Sequence, residues 1–531
     1  MEEILYFNGE ILTMEEDVYA EAVLVKGGKI AKVGKKEELM NFCSKDTRMI
    51  NLDGKTLMPS FIDSHSHFTG YANSFLQVSL EDAKNFDDII KLIKEFIKEN
   101  NIKPGTWISG KGYDHNSLEE KMHPSKDILD KVSIDNPIVI NHKSGHMGVL
   151  NSKALEELGI TNDMTNPSGG LIGRVRGTGE LNGYLEENAF ISCLNKIPMA
   201  SIEEFSKAII KAQDKYASYG ITTIQDGMIM QALAGILNYI KQSNFLKVDL
   251  VGYIDINDSE NLLEQFKTCI KRYENHFKIG GYKIFLDGSP QGRTAWMLEP
   301  YKDAEDGFKG YPIYKDDELE KKIEKAINDD MQLLAHCNGD AAVNQYITQY
   351  EIAKEKCNKE NEIRPVIIHA QLLRRDQLDM VKYLNMIPSF FVAHVYYWGD
   401  VHIKNFGKER ADLISLANSA IKKDIKFTFH QDAPVIDPNM LETVWCAVNR
   451  ITKNGVILGE EERINPLEAL KAITINAAYQ YFEEDLKGSI KENKLADLVI
   501  LDSNPLKANK DDIRNIKVLE TIKEGKTIFK L

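Results

Sequence analysis

The stretch Leu57-Met-Pro-Ser-Phe-Ile-Asp-Ser-His-Ser-His-Phe68 decides how the rest of the chain is read. It predicts a short buried strand with a proline at its mouth and two histidines at its end. Side chains alternate across a strand, so residues two apart project to the same face. His65 and His67 on one strand would therefore form a chelate for a divalent metal. A His-x-His pair also arises by chance on surfaces, so its meaning depends on what later segments carry.

Those segments come in order. Gly281-Tyr-Lys-Ile-Phe-Leu-Asp-Gly288 holds Lys283 in its interior, Met331-Gln-Leu-Leu-Ala-His336 and Pro365-Val-Ile-Ile-His369 close on histidines, and Lys426-Phe-Thr-Phe-His-Gln-Asp432 closes on a carboxylate. Each is a run of apolar or β-branched residues meeting a polar group, the pattern of a parallel strand buried on both faces. Helical stretches intervene, for example 317–329 and 376–383. This alternation predicts an α/β fold with a parallel sheet closed into a (β/α) barrel, whose sites lie at the C-terminal strand ends. The strands are placed at 58–71 (first), 221–225, 248–254, then around Lys283, His336 and His369, at 387–394, and at Asp432 (eighth). His65, His67, His336, His369 and Asp432 are the ligand types that hold a divalent ion and let its water ionise near neutral pH.

The ends of the chain read differently. Residues 1–57 and 488–531 carry short strand patterns, with turn signals at Asn8-Gly9 and Gly27-Gly28. Residues 72–199 exceed any ordinary βα connection of ~2–6 residues. They are read as an inserted subdomain, with strands at 106–113 and 137–142, and 200–487 as the remainder of the barrel. The glycine-rich run 169–179 lacks Walker and Rossmann spacing and reads as a loop.

His65-Ser-His67 followed by Lys283, His336, His369 and Asp432 on later strands resembles the amidohydrolase superfamily of metal-dependent hydrolases. Lys283-Ile-Phe-Leu-Asp-Gly288 with Arg293-Thr-Ala, Ser144-Gly-His-Met, Asn151-Ser-Lys-Ala-Leu155, Tyr397-Trp-Gly-Asp400 and Ala496-Asp-Leu-Val-Ile500 are similar to its YtcJ-like branch. That branch includes N-substituted formamide deformylases. The resemblance runs from about Leu5 to Lys530. It implies a distorted (β/α)8 TIM barrel beside a small β-sandwich built from both chain ends. It also implies zinc, as one or two ions, with Asp432 both touching metal and taking the proton of the attacking water. In such enzymes a fourth-strand lysine is carboxylated and bridges two metals. Lys283 is either that carbamate or an ion-pair partner of Asp287 or another acid beside a single metal. His146, Arg293, His394 and Trp398 are expected to contact substrate.

The reaction expected is hydrolysis of a C–N bond in an amide, N-substituted formamide or cyclic amide. Deamination of a nucleobase-like ring is the alternative. Deaminases of the superfamily usually carry a glutamate three residues after the fifth-strand histidine, a place held here by Gly339, with Asp340 beyond it. A non-catalytic scaffold typically loses metal ligands, whereas this chain retains the full set. The net charge of −14 over 531 residues argues against nucleic acid or anionic membrane as partner. No apolar run approaches the ~20 residues that span a bilayer. Six cysteines without Cys-x-x-Cys spacing fit a cytoplasmic protein with reduced thiols, and Cys337 reads as a buried structural thiol. Small-molecule substrates and a homodimer are expected. His115, His123, His276 and His402 are read as structural or exposed. His142 and His146 are excluded from a zinc-protease helix by Gly145 between them.

Overall fold

Strand by strand, the apolar runs of the second half become a sheet buried on both faces. The computed structural model describes residues 2–143, 146–194, 196–198 and 200–531, with the side chain of Ile191 left aside. Ser144 and Gly145 of the Ser144-Gly-His-Met motif, and Met199 at the end of the expected insert, lie outside the described residues. Eight parallel strands pair in chain order: Phe61–Ile62, Ile221–Ile229, Asp249–Asp255, Phe277–Phe285, Gln332–Cys337, Val366–His369, Ile387–Phe390 and Thr428–Phe429. This is the curled sheet of a TIM-like barrel. Among the described residues no ladder joins the first strand to the eighth. The segments that follow them meet instead: the Asp432 amide donates to the His65 carbonyl at 3.2 Å, and the His67 amide to the Ala433 carbonyl at 2.8 Å.

Ladder register fixes what the curled sheet presents to its interior. Lys283 is level with Leu334, and Leu334 with Val366. Leu334, Val366 and Ile387 pack with Val251, Tyr253 and the Ala477–Ala478 turn of a helix in one core. Burying an aliphatic side chain of this size contributes ~1.5–3 kcal/mol, so this layer is a rigid floor.

The expected first strand is corrected. Residues Thr56–Pro59 pair with Glu3–Leu12 and Leu498–Leu501 in a different sheet, and only Phe61–Ile62 enters the parallel one. His65 and His67 therefore lie past the strand, and strand alternation does not orient them. The chain ends form one ladder-connected sheet of eight strands, containing Glu3–Leu12, Tyr19–Lys26 and Lys29–Gly34 from one end and Leu498–Leu501, Val518–Lys523 and Lys526–Lys530 from the other. Ile4, Val23, Leu57, Leu498, Ile500 and Ile522 share its core. Gly27 and Gly28, both at positive φ, make the expected hairpin. Asn8-Gly9 does not: Glu3–Leu12 runs through it as a single strand with a register shift between Phe7 and Ile11. Asn8 takes a φ of 59° there, so the signal marks a bulge.

Tyr71–Lys211 forms a second compact unit. Its six-stranded sheet runs Gly170–Arg174, Leu181–Glu187, Met147–Leu150, Ile138–His142, Ile108–Tyr113, Gln77–Ser79. The glycine-rich run read as a loop thus supplies an edge strand, Gly170–Arg174, paired antiparallel to Leu181–Glu187. Helix Phe86–Glu99 is capped by the Asn85 side chain, which accepts from the Asp88 amide, and buries Ile89 and Ile93 one turn apart.

Candidate active site

His65 is held from both sides. Asp63, fully buried, accepts the His65 amide at 3.3 Å, and burial pushes its carboxyl up to about 8. The His65 ring places Nδ1 2.6 Å from Gln225 Oε1, while the Gln225 amide group donates to the Ser64 carbonyl at 2.7 Å and the Tyr481 hydroxyl at 3.0 Å. Nδ1 therefore donates to Gln225, and Nε2 keeps its lone pair. Gly227 lies against the same ring: a Cβ there would fall 2.5 Å from His65 Cε1.

Asp432 collects the histidines. Its Oδ1 lies 3.5 Å from His65 Nε2 and 3.4 Å from His67 Nε2, and its Oδ2 lies 3.9 Å from His369 Nε2. His65, His67 and Asp432 offer three ligand atoms within 4.8 Å of one another. Among the described residues no well-aligned donor reaches the buried Asp432 Oδ1, with the His67 ring 3.4 Å away. A buried acceptor without a well-aligned donor, faced by lone-pair nitrogens at about the separation of ligands on one ion, fits a divalent metal. Burial works to raise the Asp432 carboxyl, but the His67 ring and neighbouring positive charge outweigh it and hold it below the usual carboxylate range. Burial, aided by Lys283 and the neighbouring rings, drives His65 and His369 well below the ordinary histidine value. Both are neutral, the form that ligates metal.

Strand alternation turns His369 away from the floor side chains Val366 and Ile368. A φ of 71° at His369, followed by 43° at Ala370, turns the chain out of the strand, and Asp432 itself sits at φ 55°. Non-glycine residues in this region cost ~1–3 kcal/mol each and persist where surrounding structure over-determines them. His369 Nδ1 lies 3.2 Å from His430 Nε2, and His430 Nδ1 lies 2.9 Å from Ser389 Oγ. His336 stands beside His369, ring centroids 4.6 Å apart. Its Nδ1 is 3.3 Å from Asp287 Oδ1, and the Asp287 carboxylate also accepts the amides of Trp296, Asn338 and Gly339.

Lys283 is fully buried, with Nζ 3.3 Å from His65 Nε2. Among the described residues no carboxylate oxygen lies within 4.0 Å of that amine. The ion pair with Asp287 is therefore absent, because Asp287 is turned to His336 and three amides. Burial pulls the Lys283 amine down to about 7.

The proposed substrate contacts divide between the two units. His394 opens helix His394–Phe406, its ring centroid 6.1 Å from His369, 4.2 Å from Phe391 and 5.2 Å from Trp398. Arg293 donates to Asn405 Oδ1 and to the Lys302 carbonyl, both at 3.2 Å. His146 belongs to the unit Tyr71–Lys211, where its Nδ1 lies 3.1 Å from Glu187 Oε2. Sequence reasoning missed Gln225, Asp287 as the partner of His336, and His430 as the partner of His369. The signal for Asp287 was within reach, since it stands in the same motif as Lys283. His402, read as structural or exposed, is buried with Nε2 2.7 Å from Gln371 Nε2, and Cys337 is buried, its thiol pushed well up by burial.

The chain is similar to known proteins along nearly its whole length. The amidohydrolase YtcJ of Bacillus subtilis (strain 168) is 27% identical over 99% of this chain and 99% of its own. The N-substituted formamide deformylase of Arthrobacter pascens is 25% identical over 99% of this chain and 98% of its own. A metal-dependent hydrolase from Pyrococcus furiosus superposes with a TM-score of 0.78 at 24% identity, covering 95% of this chain and 100% of that one. The sequence pattern of the amidohydrolase family spans residues 48–529, taking in every strand of the curled sheet and every side chain gathered around Asp432, and the chain belongs to that family.

Proposed function

We propose that this chain is a metal-dependent hydrolase of a non-peptide C–N bond in a small amide, N-substituted formamide or cyclic amide. The observation that carries it is the convergence of His65, His67 and His369 on a buried Asp432 whose Oδ1 no well-aligned donor reaches among the described residues. His65, His67 and Asp432 would hold the ion, with His336 and His369 completing the set, and two imidazole types with a carboxylate suit zinc. When bound, such an ion lowers the pKa of a water from 15.7 toward about 7 and polarises a carbonyl. Lys283 is a buried amine with no carboxylate oxygen within 4.0 Å among the described residues, an expensive arrangement for a cation. Carboxylation by carbon dioxide, with loss of a proton, would turn it into an anionic carbamate able to serve as a further metal ligand.

The chain's own groups do the rest. Asp432 accepts the proton of the attacking water and returns it to the departing nitrogen, so that a carboxylate and an amine leave. Gln225 and His430 orient the His65 and His369 rings, and Asp287 stands 3.3 Å from His336 Nδ1. His394 and Trp398 pack against the acyl or amine substituent, and Arg293 and His146 are further substrate contacts in this reading.

Deamination is disfavoured at position 339. A Cβ on Gly339 would lie 1.9 Å from the Trp296 carbonyl oxygen, so no acidic side chain fits there. Asp340 is engaged elsewhere, accepting the Leu298 amide at 2.9 Å and lying 3.5 Å from Arg374 Nη1. Turnover of N-formyl amines, N-acyl amino acids, cyclic imides and purines by zinc-loaded protein tests the reading. Amine release from an acyclic amide, or ring opening of a cyclic one, is expected. Ammonia release from a purine with no turnover of any amide would decide for deamination.

A further inference from the structure

The unit Tyr71–Lys211 carries a second constellation of ligand type that the hydrolytic reading does not use. Strand Ile108–Tyr113 ends next to Asp114 and His115, and the neighbouring parallel strand ends at His142, with Tyr113 and His142 paired in register. His115 Nδ1 lies 3.2 Å from His142 Nε2, His142 Nε2 lies 3.4 Å from Asp114 Oδ1, and His115 Nδ1 lies 4.0 Å from the same oxygen. Ligand atoms ~2.1 Å from a tetrahedral ion stand ~3.4 Å apart. The three edges bracket that value, as do the His65–Asp432 and His67–Asp432 separations of 3.5 and 3.4 Å.

The surroundings hold these groups in place. His123 stacks on His115 with ring centroids 4.0 Å apart, and Tyr184 lies against His123 with centroids 4.5 Å apart. The Tyr113 hydroxyl is 3.0 Å from His123 Nδ1, so His123 braces His115. Lys143, 61% exposed, sits on Asp114 Oδ2, which also accepts the Ser117 hydroxyl at 3.2 Å. Asp114 Oδ1 accepts the Asn116 backbone amide at 3.0 Å and the Asn116 side-chain amide at 3.3 Å, hydrogen bonds of the kind that orient a ligating carboxylate. Asp249 with His276 and Glu524 differs: its Oδ2 is held by two buried lysines, Lys487 and Lys523, and its Oδ1 lies 2.7 Å from His276 Nδ1, too short an edge for two ligands of one tetrahedral ion.

We propose that Asp114 Oδ1, His115 Nδ1 and His142 Nε2 form a divalent-metal site, of the zinc class, with water as the fourth ligand. Two imidazoles and a carboxylate select an ion of this kind over calcium or magnesium, which take oxygen ligands. The ion would tie together the ends of two adjacent strands of the six-stranded sheet, a bracing role separate from hydrolysis.

The test uses full-length protein, stripped with chelator and titrated with Zn2+ alone. Wild-type protein is expected to bind one tight zinc per chain more than His115→Gln. His115→Gln and Asp114→Asn should each weaken that equivalent by ~100-fold or more, with hydrolysis unchanged, and Zn2+ should raise the thermal midpoint of wild type more than that of either variant. A folded His115→Gln protein with the wild-type zinc count and affinity would overturn the proposal. Crystals of wild-type protein grown with Zn2+ need no variant: an anomalous peak among the three ligand atoms is expected, and its absence there overturns the site. The His115-dependent zinc is counted separately from the zinc at Asp432, so failure of the hydrolytic reading leaves this measurement intact.

Discussion

Two constellations of histidine and aspartate share nearly the same ligand spacing in this protein and differ in everything around it. At Asp432 the rings of His65 and His369 are buried against Gln225 and His430, His67 is 28% exposed, and the backbone at His369 and Asp432 is held at positive φ. At Asp114 the carboxylate is shared with an exposed lysine, His115 is 27% exposed, and the bracing comes from stacked rings. Spacing decides whether an ion can bind. Burial, oriented partners and stored backbone strain decide whether it can do chemistry there.

The comparison can be broken at several points, in descending order of effect. Lys283→Ala should abolish turnover, with partial rescue by short-chain carboxylates that replace the bridging oxygens; full activity with an unmodified amine by mass spectrometry would favour a single ion. Asp432→Asn keeps the shape but cannot take the water's proton, so kcat should fall by ~10²-fold or more, with metal content dropping less than in His65→Ala; near-normal kcat removes Asp432 from its role. Asp287→Asn alters the partner of His336 and should cost ~10–100-fold in metal affinity or activity, read by zinc competition. Gly227→Ala would drive a methyl into the His65 ring, costing ~1–3 kcal/mol of stability through overpacking, and it should leave the zinc at Asp114 untouched. A variant that lost both zinc populations together would erase the distinction drawn between the two regions.

Legibility in the sequence followed the physics of each signal. Strands buried on both faces advertise themselves as apolar runs, so the positions of Lys283, His336, His369 and Asp432 could be read directly. The first strand could not, because Leu57-Met-Pro looks the same whether it pairs with the chain ends or with the parallel sheet; only ladder partners separate Thr56–Pro59 from Phe61–Ile62. The convergence of His65 with His67 was expected from alternation and arises instead from a turn. Asn8-Gly9 marks positive φ without saying whether a hairpin or a bulge uses it. His115 and His142 stand 27 residues apart and meet only because their strands are neighbours, and nothing local announces such a pair.

The central claim is that the ion at Asp432 is required for turnover. It is tested most directly by elemental analysis of purified protein, paired with amide hydrolysis before and after chelation and zinc return. The expected result is one or two zinc-class ions at the Asp432 centre in addition to the one at Asp114, loss of hydrolysis with the ions, and recovery on their return. Metal-free protein with full activity would contradict it.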